Sequence, residues 1–138
     1  MTGSVSSSLY LDTSAFLKLV KPETETPALR RYLAGNAALW VSSRILRTEA
    51  LRAATSWAPG RLPLARRLLG AVNLLSVDVF CDQAGLLPAA PGGRLTSLDA
   101  IHLVTALSLG ADLQALVTYD RQLVTSAQHH GLPIVTPL

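Results

Sequence analysis

Four acidic side chains stand at positions where a carboxylate could take part in chemistry. Asp12 ends one short apolar run and Asp120 follows another, while Glu49 lies within the apolar stripe of a predicted helix. Asp99 lies in the first turn of the most apolar helix that the sequence predicts. If these side chains converge, their charges repel and some take up protons unless a cation neutralises them. Oxygen ligands of this kind suit a hard divalent ion, Mg²⁺ or Mn²⁺, which can activate water for cleavage of a phosphodiester bond.

Each of these acids also has a purely structural explanation. Asp12 and Asp120 could cap the helices that follow them, and Asp99 could be a favourable charge in the first turn of its helix. Glu49 is the hardest to explain in this way, because an unpaired carboxylate in an apolar stripe is costly. Its structural alternative is a buried pair with an arginine. These explanations would have to hold at all four positions together, and we therefore favour a shared site.

The histidines offer a weaker site than the acids. His102 follows Asp99 by three residues, so the two lie at neighbouring positions of one predicted helix. A metal-binding role for His102 is open, but we expect a packed, hydrogen-bonded side chain. His129 and His130 stand together near a predicted helix end, and we expect both on the surface.

Alternating strands and helices would position the acids. The predicted strands cover residues 8–12, 38–41, 73–77, 115–118 and 133–136. The predicted helices run to about residues 20, 34, 57, 70, 87, 109 and 130. This alternation favours an α/β fold, with a mainly parallel sheet and helices on both faces. Ligands of such folds gather beyond the carboxyl ends of the strands, where Asp12 and Asp120 would lie.

Composition is consistent with one globular domain over residues 1–138, in which polar residues 1–7 form a flexible tail. The chain is 49% hydrophobic with few aromatic residues, so we expect an aliphatic core. It carries 12 basic and 9 acidic residues. If four acids share one site, basic residues outnumber acids more strongly elsewhere, which would suit a polyanionic partner. On charge alone, a solubilising, arginine-rich surface is the preferred explanation.

The sequence also predicts a cytoplasmic protein that is not embedded in a membrane. We find neither a signal peptide nor an apolar run of about 20 residues. The single cysteine, Cys81, cannot form an internal disulfide. We expect it to be a buried thiol, because a free cysteine usually packs in a core.

Four segments in order resemble the PIN-domain family, and most closely its VapC toxin branch. They are LYLDTSAFLK at 9–18, RTEA at 47–50, SLDAIHL at 97–103 and LVTYDRQL at 116–123. The resemblance implies a three-layer α/β/α fold and an endoribonuclease that depends on Mg²⁺ or Mn²⁺. It implies that Asp12, Glu49, Asp99 and Asp120 form the catalytic, metal-binding quartet. It further implies that Thr118 assists in the site and that Ser14 occupies a family position near the first acid.

The same resemblance implies partners. Members of this branch are typically homodimers that cut RNA and are held inactive by a cognate antitoxin whose tail covers the acidic site. One segment departs from the usual pattern: residues 85–93, rich in proline and glycine, form a longer approach to the helix that carries Asp99.

We expect Asp12 to contact the metal centrally, with Glu49 and Asp99 completing the coordination of the first ion. Asp120 would bind a second ion or orient the attacking water. In-line attack would leave 5′-phosphate and 3′-hydroxyl ends. Arg94 and Arg121, the basic residues nearest the third and fourth acids in sequence, could contact the substrate phosphates or simply be surface residues.

Two other classes of protein remain open at this point. One is a non-catalytic PIN-like module that binds RNA or protein. The other is a phosphotransfer domain, which fits less well. A phosphatase of the haloacid-dehalogenase type would need a second acid where Ser14 stands, and a receiver domain would need a lysine after a late strand, whereas Lys18 and Lys21 lie near the start.

Overall fold

The computed structural model describes residues 7–88, 90–91 and 94–138. Within these residues, five strands pair in parallel to form one sheet. The strands are β1 (Ser8–Leu11), β2 (Leu39–Ser43), β3 (Asn73–Leu75), β4 (Leu113–Val117) and β5 (Ile134–Val135). The α-helices are α1 (Thr13–Val20), α2 (Thr26–Ala34), α3 (Ile45–Trp57), α4 (Leu62–Leu69), α5 (Cys81–Gly85), α6 (Ser97–Leu107) and α7 (Arg121–His129).

The order of the strands creates a crevice beside the central strand. That order is β3-β2-β1-β4-β5. The chain runs outward from β1 through β2 to β3, then crosses to the other side of β1 to form β4 and β5. The strand order therefore reverses between β1 and β4, which is where open parallel sheets bind ligands. Asp12 directly follows β1, and Thr118 and Asp120 follow β4.

Strand β1 presents alternate side chains to two layers of helices. Leu9 and Leu11 pack in a core cluster with residues of α1 and α2. Tyr10 packs on the opposite face with Leu103 of α6 and Leu123 of α7. Helices thus cover both faces of the sheet, and the predicted three-layer α/β/α architecture is confirmed.

Several helix limits agree with the sequence patterns. Helices α1 and α2 cover the predicted residues 13–20 and about 26–34, with Pro27 in the first turn of α2. Proline suits this position because the first N–H groups of a helix have no partner within it. Gly110 after α6 and Gly131 after α7 have positive φ angles of 54° and 74°, as expected where a glycine ends a helix.

The segment at 78–87 is where the secondary-structure prediction is wrong. The sequence predicts one helix that Asp78 caps and that runs to about residue 87. The chain instead forms a 3-10 turn at Asp78–Phe80 and then the five-residue helix α5. Only Ala84 of α5 is buried. Cys81 is exposed, contrary to the expectation of a buried thiol, because it lies on the outer side of this short helix.

Helix α3 ends at Trp57, as predicted, but its start differs from the predicted cap at Ser42 or Ser43. Its cap is Arg44 rather than Ser42 or Ser43, and no side chain caps it, although the Ser43 hydroxyl accepts a hydrogen bond from Ile45 N–H at 3.2 Å. The predicted apolar stripe holds at Leu46, Ala50 and Ala54, which are buried. Trp57, expected in that stripe, is exposed, and the Lys21 ammonium lies over its ring.

The predicted tail at residues 1–7 and the proline- and glycine-rich segment at 85–93 lie partly outside the described residues. Residues 1–6 of the predicted tail lie outside them, whereas Ser7 bonds to the sheet through Gln114 Oε1 and Leu39 N–H, each at 3.0 Å. Residues 89, 92 and 93 of the proline- and glycine-rich segment also lie outside them. The assignment of all of residues 1–138 to one domain stays a prediction. A search of the described residues finds no helix with the length and hydropathy of a membrane span.

Candidate active site

Asp12 lies at the bottom of the crevice between β1 and β4. Its side chain is 2% exposed and caps α1, with Oδ1 accepting from Ala15 N–H at 3.0 Å. The Ser14 hydroxyl donates to the same carboxylate at 2.7 Å. Burial raises the pKa of Asp12, although hydrogen bonds from Thr118, Ala15 and Ser14 and the nearby His102 oppose that rise. The helix-cap explanation is therefore correct, and it leaves a buried carboxylate that still favours a cation.

Thr118 joins the ends of the two central strands. Its buried hydroxyl donates to Asp12 Oδ2 at 2.6 Å and accepts from Asp120 N–H at 3.0 Å. Ser14 makes a second link, because its hydroxyl also accepts from Tyr119 N–H at 2.9 Å. These two hydroxyls fix the position of the Asp12 carboxylate relative to the segment that carries Asp120.

Asp99 and Asp120 come together at the mouth of the crevice. Asp99 lies in the first turn of α6, whose cap, Thr96, accepts from Asp99 N–H at 3.1 Å. Asp120 caps α7 through Gln122 and Leu123 N–H groups at 2.9 and 3.2 Å. Burial, followed by a hydrogen bond to Asp120 and the charge of Asp120, raises the pKa of Asp99 to about 7. Near neutral pH the Asp99 carboxyl group therefore holds a proton for much of the time unless a cation replaces it.

Glu49 has a partner that the sequence did not predict. Its Oε1 accepts from Thr13 Oγ1 at 2.6 Å and from His102 Nε2 at 2.9 Å. Burial raises the pKa of Glu49, but the hydrogen bonds from His102 and Thr13 outweigh burial and leave the pKa lowered. His102 is 1% exposed and hydrogen-bonded, as expected. The partner of Glu49 is therefore a histidine, rather than the arginine considered as its structural alternative.

The donor set fits a hard divalent ion in its chemistry, because carboxylate oxygens are ligands that Mg²⁺ and Mn²⁺ prefer. In the described part of the chain, no lysine or arginine forms a salt bridge with Asp12, Asp99 or Asp120. Among the same described residues, no group of three or more acidic, histidine or cysteine side chains has the geometry of a metal site. Glu49 faces His102 through Oε1, and Asp99 and Asp120 lie beside each other.

The two predicted phosphate contacts have exposed side chains. The backbone N–H of Arg94 donates to Gln122 Oε1 at 3.0 Å, which ties the start of α6 to α7. Arg121 lines a cavity of about 560 Å³ together with Lys18 and Tyr119. The Lys18 ammonium lies 4.8 Å from the centroid of the Tyr119 ring and pairs with Glu25 at 2.9 Å. Among the described residues, neither arginine side chain forms a salt bridge with an acid.

Sequence reasoning missed two hydroxyl groups near Glu49: Thr13 bonds to Glu49 itself, and Tyr10 bonds to its partner His102. Thr13 is directly after Asp12, and Tyr10 is two residues before it, yet neither was considered as part of the site. Tyr10 reads as a core residue of an apolar strand, and its partner, His102, is 92 residues away. The proximity of Thr13 to the first acid was the only signal available.

Fold and site together define a class of proteins, namely three-layer α/β/α domains with acidic side chains at the switch point of a parallel sheet. The chain belongs to the PIN domain family, whose model matches residues 9–128. Ribonuclease VapC46 of Mycobacterium tuberculosis is 41% identical over 131 residues, covering 94% of this chain and 97% of that protein. Ribonuclease VapC35 of the same organism is 37% identical over 132 residues, covering 94% and 96%. The resemblance inferred from the four segments is thereby confirmed.

Solved structures agree on the fold. The crystal structure of Mycobacterium tuberculosis VapC20, described as a sarcin-ricin loop cleaving toxin, superposes with a TM-score of 0.75 at 18% identity and covers 94% of this chain and 99% of that one. A chain of a toxin-antitoxin complex from Klebsiella pneumoniae gives a TM-score of 0.68 at 21% identity, with coverage of 96% and 98%.

Proposed function

We propose that this chain is an endoribonuclease that uses a divalent cation, Mg²⁺ or Mn²⁺, held by Asp12, Glu49, Asp99 and Asp120, and that it is the toxin of a toxin–antitoxin pair. The observation that carries the proposal is the Asp12 carboxylate, which is buried at the switch point of the sheet with a raised pKa. The related ribonucleases, which cover nearly all of this chain, support the same activity.

Asp12 would be the central ligand, because the hydroxyls of Ser14 and Thr118 hold its carboxylate in place. Asp99 and Glu49 would complete the coordination of the same ion. Once bound, a divalent ion lowers the pKa of a coordinated water and neutralises charge that develops on the phosphate. Cation binding would also displace the proton from Asp99, since a nearby positive charge lowers the pKa of a carboxyl group.

Asp120 would orient the attacking water or bind a second ion. The N–H groups of Gln122 and Leu123 donate to its Oδ1, so its Oδ2 would be the oxygen that serves this role. Attack of water on the phosphorus would leave 5′-phosphate and 3′-hydroxyl ends. Products ending in 2′,3′-cyclic phosphates would contradict this mechanism.

The RNA backbone would approach along the exposed arginines. Arg121 begins α7 directly after Asp120, and Arg94 lies before α6. Both can contribute charge to phosphate binding, because neither side chain forms a salt bridge with an acid of the described residues.

The partners follow from the same assignment. A cognate antitoxin would cover the acidic crevice; the toxin-antitoxin complex with a similar fold supports an antitoxin as the partner. We further propose that the chain forms a homodimer and acts in the cytoplasm, where its RNA substrate lies. Sedimentation of the purified protein as a monomer at micromolar concentration would contradict the dimer.

RNA cleavage tests the proposal. Purified protein, freed of any antitoxin, is incubated with total bacterial RNA in Mg²⁺, in Mn²⁺ and in a chelator. We expect discrete fragments that require metal and that disappear in Asp99→Asn. Asp112→Asn is the matched control, because Asp112 is an exposed acid preceding β4, at the opposite edge of the sheet. RNA binding without cleavage by the folded wild type would support the non-catalytic module instead.

A further inference from the structure

A buried chain of hydrogen bonds lies behind Glu49. The backbone N–H of Ser43 bonds to the Tyr10 hydroxyl at 3.0 Å, and that hydroxyl bonds to His102 Nδ1 at 2.8 Å. His102 Nε2 then reaches Glu49 Oε1 at 2.9 Å. Tyr10 and His102 are at most 1% exposed. These hydrogen bonds thus run from β2 through β1 and α6 to Glu49 of α3, which is one carboxylate of the proposed site.

Donor and acceptor chemistry fixes the direction of every bond in this chain. Ser43 N–H can only donate, so the Tyr10 oxygen accepts there and its own proton is available for His102 Nδ1. The ionised Glu49 carboxylate can only accept, so the ring proton of neutral His102 lies on Nε2, and Nδ1 accepts from the Tyr10 hydroxyl.

The result is a carboxylate held at one oxygen only. Glu49 Oε1 accepts from both His102 Nε2 and Thr13 Oγ1. Glu49 Oε2 receives no hydrogen bond from the described residues. A carboxylate that binds a metal through one oxygen commonly has its other oxygen hydrogen-bonded by a neighbouring side chain, which fixes its orientation.

We infer that Tyr10 and His102 are positioning residues that hold Glu49 by Oε1 and thereby present Oε2 to the cation. The inference rests on the proposed function, because it requires Glu49 to be a ligand. Neither residue touches the RNA or the reacting atoms. Loss of partners of this kind lowers metal affinity by roughly 10- to 100-fold.

The first test measures Mn²⁺ binding to the purified protein, with the unbound ion followed by electron paramagnetic resonance. Tyr10→Phe removes one hydroxyl from the chain, and we expect Mn²⁺ affinity to fall by about 10-fold or more. Tyr32→Phe is the matched control, because Tyr32 is a half-buried tyrosine of α2 that packs in the core cluster of Leu29 and Leu33. Its Mn²⁺ affinity should equal that of the wild type.

A pair of substitutions at His102 separates positioning from packing. Glutamine keeps an amide N–H near the place of Nε2, whereas asparagine places its amide near Nδ1 and does not reach Glu49. We expect His102→Gln to retain more Mn²⁺ affinity than His102→Asn. Cleavage by His102→Gln should recover at excess Mn²⁺, so that the metal concentration for half-maximal rate changes more than the maximal rate. A purely structural role predicts that both variants lose thermal stability with no change in Mn²⁺ affinity.

Nuclear magnetic resonance of ¹⁵N-labelled wild type keeps the inference testable if a variant fails to fold. At a pH where His102 is neutral, the inference predicts the tautomer with its proton on Nε2. The opposite tautomer would overturn it, as would an unchanged Mn²⁺ affinity in folded Tyr10→Phe. If the wild type itself bound no Mn²⁺, the proposed function would fail before any variant was compared.

Discussion

At the scale of single residues, the acids of the site differ in how far the protein already neutralises them. Asp12 accepts hydrogen bonds from a backbone N–H and two hydroxyls, and Glu49 faces His102. Asp120 accepts from two backbone N–H groups, whereas burial and the neighbouring Asp120 raise the pKa of Asp99 to about 7. We therefore expect Asp99 to respond most strongly to pH and to added metal.

Asp99→Asn should make the metal-free protein more stable at high pH. The pKa of Asp99 is about 7 in the folded protein and 3.8 as its ordinary value. Between these values the folded state holds a proton that the unfolded state has released, so stability falls as pH rises from about 4 to about 7. Asparagine does not titrate, so the Asp99→Asn protein does not lose this stability as pH rises. The midpoint of thermal unfolding of Asp99→Asn should exceed that of the wild type at pH 8, with a smaller difference at pH 5.

Parallel pH profiles for the two proteins would contradict this prediction. Mn²⁺ supplies a second comparison, because a ligand that binds the folded state stabilises it. Added Mn²⁺ should raise the unfolding midpoint of the wild type more than that of Asp99→Asn.

The sequence reveals acids at strand ends but not the pairs they form. The positions of Asp12 and Asp120 could be predicted because alternating strands and helices indicate a parallel sheet, and both acids follow strands at its carboxyl edge. The contact of Tyr10 with His102 depends on which helix packs over β1, and no local sequence pattern predicts that packing. Whether the quartet and Thr118 act as assigned stays a prediction.

At the scale of elements, α6 determines where Asp99 and His102 lie. Asp99 occupies the first turn and His102 the next, so both depend on how the N-terminus of α6 is fixed. Thr96 provides that fixation through its hydroxyl, and Arg94 N–H adds a bond to Gln122. A loosened first turn would move Asp99 more than His102.

Thr96→Ala should therefore weaken the site as well as the fold. Loss of a helix cap costs about 1 kcal/mol of the free energy of unfolding, which denaturant titration can measure. We expect a lower Mn²⁺ affinity in the same variant, because the first turn that carries Asp99 frays. Thr96→Ser retains the capping oxygen and should restore both quantities; a loss of affinity that serine does not restore would show that the cap is not the cause.

Helix limits could be predicted where proline, glycine or a capping side chain marks them. α1 and α2 have such markers, and their predicted limits hold. The segment at 78–87 has apolar residues without a continuous stripe, and only Ala84 of α5 finds a place in the core. The same cause leaves Cys81 exposed.

At the scale of the whole molecule, the crevice exists because the strand order reverses between β1 and β4. This brings together acids that follow strands about 100 residues apart in the chain: the Asp12–Thr118 bond spans 106 residues. Basic residues outnumber acids overall, with a formal net charge of +3. We expect this excess to attract RNA from a distance and the arginines beside the crevice to contact it.

Arg121→Gln should weaken RNA binding and flatten its dependence on salt. Removing one phosphate contact lowers the slope of log affinity against log salt by about one unit or somewhat less. Arg67→Gln is the matched control, because Arg67 is an exposed arginine of α4 rather than of the helices at the crevice. Fluorescence anisotropy with labelled RNA in a chelator measures binding without cleavage. An unchanged slope would remove Arg121 from the RNA-binding surface.

The most direct test of the account is to locate Mn²⁺ in crystals of the wild type by anomalous scattering. We predict a peak in the crevice, at about 2.1 Å from carboxylate oxygens of Asp12 and of at least one other member of the quartet. Glu49 Oε2, rather than Oε1, should point toward it. Absence of a peak there, in a protein that cleaves RNA only with Mn²⁺, would contradict the central claim that these acids hold the catalytic ion.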